Sequence, residues 1–301
     1  MNLPAAAALL ARSSSPLMRS LRITHEAITA IRTDDCTARR RLDHLYELSN
    51  SMSKESRQHW DNHFRQNNVL QTIQISHDRN RDGDNERDDH SSSDVSVLGF
   101  QLWRWKMMES RSDSDVRGQK TCVLIGGKLR FATDIRGHGL NILTNLIAAA
   151  HPPPEIASVP PKLRRVFRLG LFNVHGLSSV VPSLQKYEVS PFDEHGSEMY
   201  QHVKPFLDEF IAENGFQFSR DYSGRVDVGQ SSVKAPDDFG ERWWNRPGVS
   251  LFRQAQQIGT MNPVQLSRHE TLSRRNDMFL MWELDNDNID AMIRYMKKKI
   301  V

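Results

Sequence analysis

The sequence predicts an α/β (or α+β) body, a mixed sheet with packed helices, preceded by a helical arm and a disordered linker. Three observations carry this. From Leu129 to Val228 the apolar pattern alternates as strand, helix, strand, helix and strand pair, the order of an α/β sandwich. Between His77 and Asp94 there is no large apolar residue, so that stretch cannot offset its ordering entropy. Ahead of it, Leu42, Leu45, Tyr46, Leu48, Met52, Trp60 and Phe64 recur at helical spacing over 36–66. The expected segments are a leader over 1–32, an arm over 33–76, a linker over 77–94 and the body over 95–301.

The leader comes first in the chain. Residues 1–25 contain Arg12, Arg19, Arg22 and four serines but no acid, and Glu26 is the first carboxylate. An Arg-rich, Ser-rich, acid-poor start has the composition of a mitochondrial transit peptide. It implies the mitochondrial matrix, with cleavage between Arg12 and Arg32. A secretory signal is the competing reading, but the apolar run Ala5 to Ala11 is short and no basic segment precedes it. An ordinary, unremoved helix is the third. Nowhere are there 18 consecutive apolar residues, so no spanning helix is expected.

The formal charge is +3, and residues 1–22 hold three arginines and no acid. Cleavage near Arg22 leaves a neutral body, which attracts polyanions only through local basic patches. Two cysteines, Cys36 and Cys122, cannot form a disulfide framework or a cysteine-rich zinc site. That suits a reducing compartment.

The body opens on a strand over Val97 to Met108. Leu98, Phe100 and Leu102 alternate with Trp103, Trp105 and Met107, so both faces are apolar and covered. Gly126-Gly127 between Thr121–Ile125 and Lys128–Ile135 predicts a hairpin turn. A helix over Leu140 to Ala150 stops at Pro152-Pro153-Pro154, and Arg165 to Val174 is a strand. Met199, Val203, Phe206, Leu207, Phe210 and Ile211 form a helical face ended by Asn214-Gly215, with Pro205 kinking the helix or marking its first turn. Strands over 216–220 and 225–228 flank the turn 221–224, and 229–276 is irregular. Met278 to Leu284 is the last strand. Asp287 caps a final helix whose last turn carries Lys297, Lys298 and Lys299, cations suited to the helix dipole.

Two motifs bear on chemistry. Ala132-Thr133-Asp134-Ile135-Arg136-Gly137 lies between a strand and a helix, and Phe172-Asn173-Val174-His175-Gly176 follows the next strand. Over residues 128–230 this resembles the Smr domain, a small α/β module whose signature joins an Asp-Leu-Arg-Gly strand end to a His-Gly-x-Gly loop. Ser178 stands where the family has its second glycine, and the interval to the last helix is longer than the family's. The resemblance implies a nuclease or nucleic-acid binder. Asp134 and His175 would serve as general base, acid or metal ligand on a phosphodiester. Arg136 and the backbone N–H groups of Gly137 and Gly176 would hold phosphate. The competing reading makes Asp134 a helix cap and His175 a loop histidine.

Outside the motifs, Lys162, Arg164, Arg165 and Arg168 form a basic cluster that either contacts RNA phosphates or marks a solvated strand edge. Trp103-Arg104-Trp105-Lys106 reads as core or as a base-stacking surface. His59 and His63 share a helix face but lack a third ligand. Phosphate-loop, dinucleotide and serine-hydrolase motifs are absent, and no metal or cofactor is implied. The expected function is a mitochondrial RNA-associated subunit of a ribosomal or RNA-processing assembly, bound to RNA, to protein subunits or to both. An Smr-like endonuclease and a respiratory-complex scaffold or assembly factor are the alternatives.

Overall fold

The structure, a computed structural model, describes residues 10, 13–31, 36–52, 56–76, 95–108, 119–192, 197–218, 225–227, 245–251 and 276–300. The chain divides into two compact units. One comprises Met1–Arg104, Gly126–Pro153 and Lys297–Val301, the other Trp105–Ile125 and Pro154–Met296.

The first unit begins with helix α1 (Pro16–Ser20) and strand β1 (Leu21–Ala27). Helices α2 (Cys36–Met52) and α3 (Arg57–Arg65) follow, then β2 (Val69–Ser76). It also holds most of β3 (Val95–Met107), the end of β4 (Lys120–Phe131), and α4 (Leu140–Ala150). β1 pairs antiparallel with β2 over all seven residues, from Leu21 opposite Ile75 to Ala27 opposite Val69. β2 pairs antiparallel with β3, with a register shift between Ile73 and Gln74. Leu45 and Trp60 of the helices pack with Leu70, Phe100 and Leu102 of the strands. The Trp60 ring meets Phe100 edge-on at 5.3 Å, the arrangement that aromatic quadrupoles favour.

α4 is buried along nearly its whole length, as its predominantly apolar sequence requires. Its one internal hydroxyl is satisfied by a buried network. Thr144 donates its hydroxyl to Gln101 Oε1 at 2.8 Å, Gln71 donates to the Thr144 carbonyl at 3.2 Å, and Trp103 donates its indole N–H to Gln71 Oε1 at 2.8 Å.

The second unit contains the start of β4, then α5 (Pro154–Ala157), β5 (Arg164–Phe172), α6 (Val174–Val180) and β6 (Glu188–Val189). It continues with α7 (Glu198–Asn214), β7 (Gln217–Phe218), β8 (Arg225–Asp227), β9 (Asn276–Glu283) and most of α8 (Asn286–Ile300). β4 and β5 are parallel, Lys120 opposite Arg164 through Ile125 opposite Leu169. A parallel pair needs a long crossover, and α4 lies in that connection. β5–β9, β6–β9, β7–β8 and β8–β9 are antiparallel. Among the described residues the strand order is β1-β2-β3-β4-β5-β9-β8-β7, with β6 beside β9, so the sheet is mixed and the α/β class stands.

α7 lays Tyr200, Val203, Phe206 and Leu207 on Val123, Ile125, Phe167, Leu169, Phe279 and Met281. It begins where Ser197 accepts the Tyr200 N–H at 2.8 Å and ends at Gly215, with φ of 62°; Pro205 lies inside it. Buried Asn288 of α8 accepts the N–H groups of Gln185 and Lys186 and donates to the carbonyls of Lys186 and Glu283, all at 2.9–3.0 Å. No helix among the described residues is long and apolar enough to cross a membrane.

Three expectations are corrected. The arm over 33–76 is not a purely helical appendage: α2 and α3 are separate helices, Ser56 caps the second by accepting the His59 N–H at 3.2 Å, and 69–76 is a strand of the sheet. β-branched and apolar residues at Val69, Leu70, Thr72 and Ile73, all buried, suit a covered strand. Residues 21–27, expected within the leader, form β1. Gly126-Gly127 is not a turn but the middle of continuous β4. Neither glycine has positive φ, and a Cβ on Gly127 would lie 2.7 Å from Asn67 Oδ1. That glycine makes room for a side chain. The linker over 77–94 and the turn 221–224 lie outside the described residues, as does most of 229–276.

Candidate nucleic-acid interface

The first motif is a turn in the first unit. β4 ends at Phe131, and Thr133–Ile135 is a single 3₁₀ turn. Fully buried Ile135 anchors it, leaving Asp134 and Arg136 exposed on either side. Arg136 donates from Nε to the Phe131 carbonyl at 2.9 Å. This one bond fixes the direction of the guanidinium and leaves its two amino groups at the surface. Gly137 has φ of 82°, and a Cβ there would meet nothing within 4 Å. The backbone angle, not space, calls for glycine. Gly139, with φ of 73°, starts α4 without any side-chain cap, and the first helical turn contains no acid. The first turn of α4 therefore brings no carboxylate of its own to the positive end of the helix dipole. Asp134 neither ends the strand nor caps α4, since it sits in the 3₁₀ turn several residues ahead of Gly139.

The second motif differs from the expected loop. His175 and Gly176 lie in the first turn of α6, which Asn173 caps by accepting the Gly176 N–H at 2.8 Å. That N–H, expected to hold phosphate, is thus already occupied. His175 is half-buried, and burial pushes its imidazole below the ordinary range. Asp134 belongs to the first unit and His175 to the second.

The basic cluster separates residue by residue. Lys162 is exposed on a 3₁₀ turn (Pro161–Leu163). Arg164 donates to the Ile156 carbonyl at 3.2 Å. Arg165 grips Glu283 with two bonds, at 3.0 and 2.8 Å, and gives Nη1 to Glu198 at 3.0 Å. Those carboxylates hold its pKa above the ordinary arginine range. Arg168 is 2% exposed. Its guanidinium lies 5.3 Å from the Trp282 ring centre and 5.7 Å from that of Phe172, and it donates to the Leu169 carbonyl. Burial pushes it down to about 9. Neither expected role fits the set. β5 is an interior strand between β4 and β9, so it is no solvated edge, and Arg165 and Arg168 are engaged within the second unit. Exposed Lys162 and half-buried Arg164, which gives one amino group to a carbonyl, remain as candidate contacts for phosphate.

Trp103 and Trp105 are core residues, 0% and 4% exposed. His59 is exposed on α3. The His63 side chain lies outside the description. Among the described residues no three His, Cys, Asp or Glu side chains group as metal ligands. Two perturbed groups escaped the sequence reading. Lys128, over the Trp60 ring at 5.7 Å, is pushed down to about 7 by burial and then by the charge of Arg130. His25 is pushed down to about 4, chiefly by burial. The available signal was weak: a cation that alternates with apolar residues in a strand, and a histidine in an acid-poor leader. The chain matches no protein-family model and no curated protein.

Proposed function

We propose that the protein is an RNA-associated subunit of a mitochondrial assembly, a ribosomal or RNA-processing particle. Arg136 carries the reading. It is exposed, its Nε is held by the Phe131 carbonyl, and its amino groups are open beside the left-handed Gly137. A guanidinium with a fixed direction suits the fork geometry of a phosphate. Lys162 is a second open cation. The Arg-rich leader supports the compartment. Sedimentation of matrix extract with and without ribonuclease tests the reading. A large particle that collapses after ribonuclease is expected. A small, ribonuclease-insensitive species overturns it, and a large insensitive one points to a protein-only scaffold.

A further inference from the structure

Residues 13–30 have the composition of a targeting leader and the contacts of a folded element. Met18 is 0% exposed and Leu21 5%. Arg19 donates from Nη1 to the Ser13 carbonyl at 2.8 Å, which ties the start of this segment to α1. β1 then pairs residue for residue with β2. Thr24 and Thr72, opposite each other in that register, join hydroxyls at 2.5 Å. Glu26 pairs with Arg41 of α2. His25 Nε2 donates to the His151 carbonyl at 2.8 Å, and the Ile28 N–H donates to the Asn68 carbonyl at 2.9 Å.

We propose that the leader is divided near Ser13: the segment before Ser13 is removed on import, and Ser13 onward is kept as the β1 side of the first unit. The removal rests on the mitochondrial reading above; the retention rests on contacts alone. A cut at Arg32 would strip a complete strand from β2, leaving a row of unpaired backbone donors and acceptors. It would also uncover the site that Met18 fills and leave Arg41 without Glu26. A cut before Ser13 spares all of these and gives up only a smaller contact, the Ser13 N–H to the carbonyl of buried Leu10 at 3.1 Å. Arg19 and Arg22 then serve twice, as cations drawn in by the matrix-negative potential and later as exposed residues of the folded protein. The mature chain keeps a formal charge of +2, since residues 1–12 contain Arg12 as their one charged side chain, and a small positive excess suits an RNA partner.

Two measurements test the halves separately. In the first, thermal unfolding compares the full chain, the chain begun at Ser13, the chain begun at Thr33 and the full-length variant Met18→Asp. The Ser13 chain, which loses buried Leu10 but keeps β1 and Met18, should melt far closer to the full chain than the Thr33 chain does. The Thr33 chain should lose its cooperative transition or melt more than about 10 °C lower, and Met18→Asp should shift the same way. Equal melting of all four overturns retention. In the second, mass spectrometry reads the N-terminal peptide of the protein from isolated mitochondria. A first residue at Ser13 or within about two residues before it supports the division; one at Ser14 or later overturns retention, and one nearer Met1 overturns removal. An uncut cytosolic chain overturns removal together with the compartment reading, while the melting series still decides retention.

Discussion

Arg165 of β5 and Glu283 of β9 form a two-pronged ion pair, Nε to Oε1 at 3.0 Å and Nη2 to Oε2 at 2.8 Å. The arginine side chain is 21% exposed and the glutamate 23%, so water screens the pair only in part. Glu283→Ala leaves a half-buried guanidinium supported by Glu198 and His202. It should cost about 1–3 kcal/mol, between the ranges for exposed and buried pairs. Urea denaturation checks this: the midpoint should fall with an unchanged m-value. An unshifted midpoint would mean that Glu198 alone suffices.

The Trp103–Gln71 bond is the second target. Gln71→Leu leaves the Trp103 indole N–H and the Thr144 carbonyl inside the first unit without Gln71, and should cost about 2–4 kcal/mol. Adding Trp103→Phe removes one stranded donor, so the double variant should lose at least about 1 kcal/mol less than the two single losses added. Strict additivity would show that the bond contributes nothing.

These two targets show what the sequence could convey. The crossover helix was legible because Leu140–Ala150 is rich in Leu, Ile and Ala and is closed by three prolines. The end of α7 was legible from Asn214-Gly215. The pairing of 21–27 with 69–76 was not, because the two strands are separated by two helices and the first follows directly on an acid-free, Arg-rich stretch with the composition of a leader. Gly126-Gly127 misled because the reason for Gly127, the Asn67 side chain, lies far back in the sequence. Arg168 misled in the same way. A cation in a basic run looks solvated until Phe172 and Trp282 close over it, and Trp282 comes from the last strand. Around Arg136, the glycines marked the approach to a helix, but 133–135 read as the end of a strand and is a 3₁₀ turn. The occupied N–H of Gly176 depended on Asn173 starting a helix where the motif suggested a loop.

His25 sets a pH response. An unfolded imidazole takes up its proton near 6.5, whereas this one resists until about 4. Its Nδ1 is buried with no partner, so protonation would bury an unpaired N–H. The unfolded chain therefore binds more protons between those values. Stability is full above about pH 6.5, falls as pH drops through the window, and the loss is complete below about 4, amounting to about 1–3 kcal/mol. His25→Gln keeps a donor for the His151 carbonyl and should flatten most of that slope. His175, shifted the same way, accounts for a remainder. Denaturation curves at several pH values between 4 and 7 decide it, and an identical slope in the variant would rule His25 out.

Lys128 should titrate apart from every ordinary lysine. Its side-chain Cε resonance, followed by NMR in protein labelled at lysine, should move with a midpoint near 7, against about 10.4 for an exposed lysine. Lys128→Met should erase that resonance without unfolding the first unit, since the methionine still packs on Trp60. A midpoint above 10 would place the ammonium in water.

The central claim is that the turn around Arg136 binds RNA phosphate. Fluorescence anisotropy of a labelled RNA with the purified full chain tests it most directly, titrated at several salt concentrations for wild type and Arg136→Glu. The account predicts binding whose affinity falls as salt rises. Arg136→Glu should weaken it at least about tenfold and flatten the salt slope by about one charge, while the melting temperature stays unchanged. Absence of binding at low salt, or equal affinity in the two proteins, would contradict it.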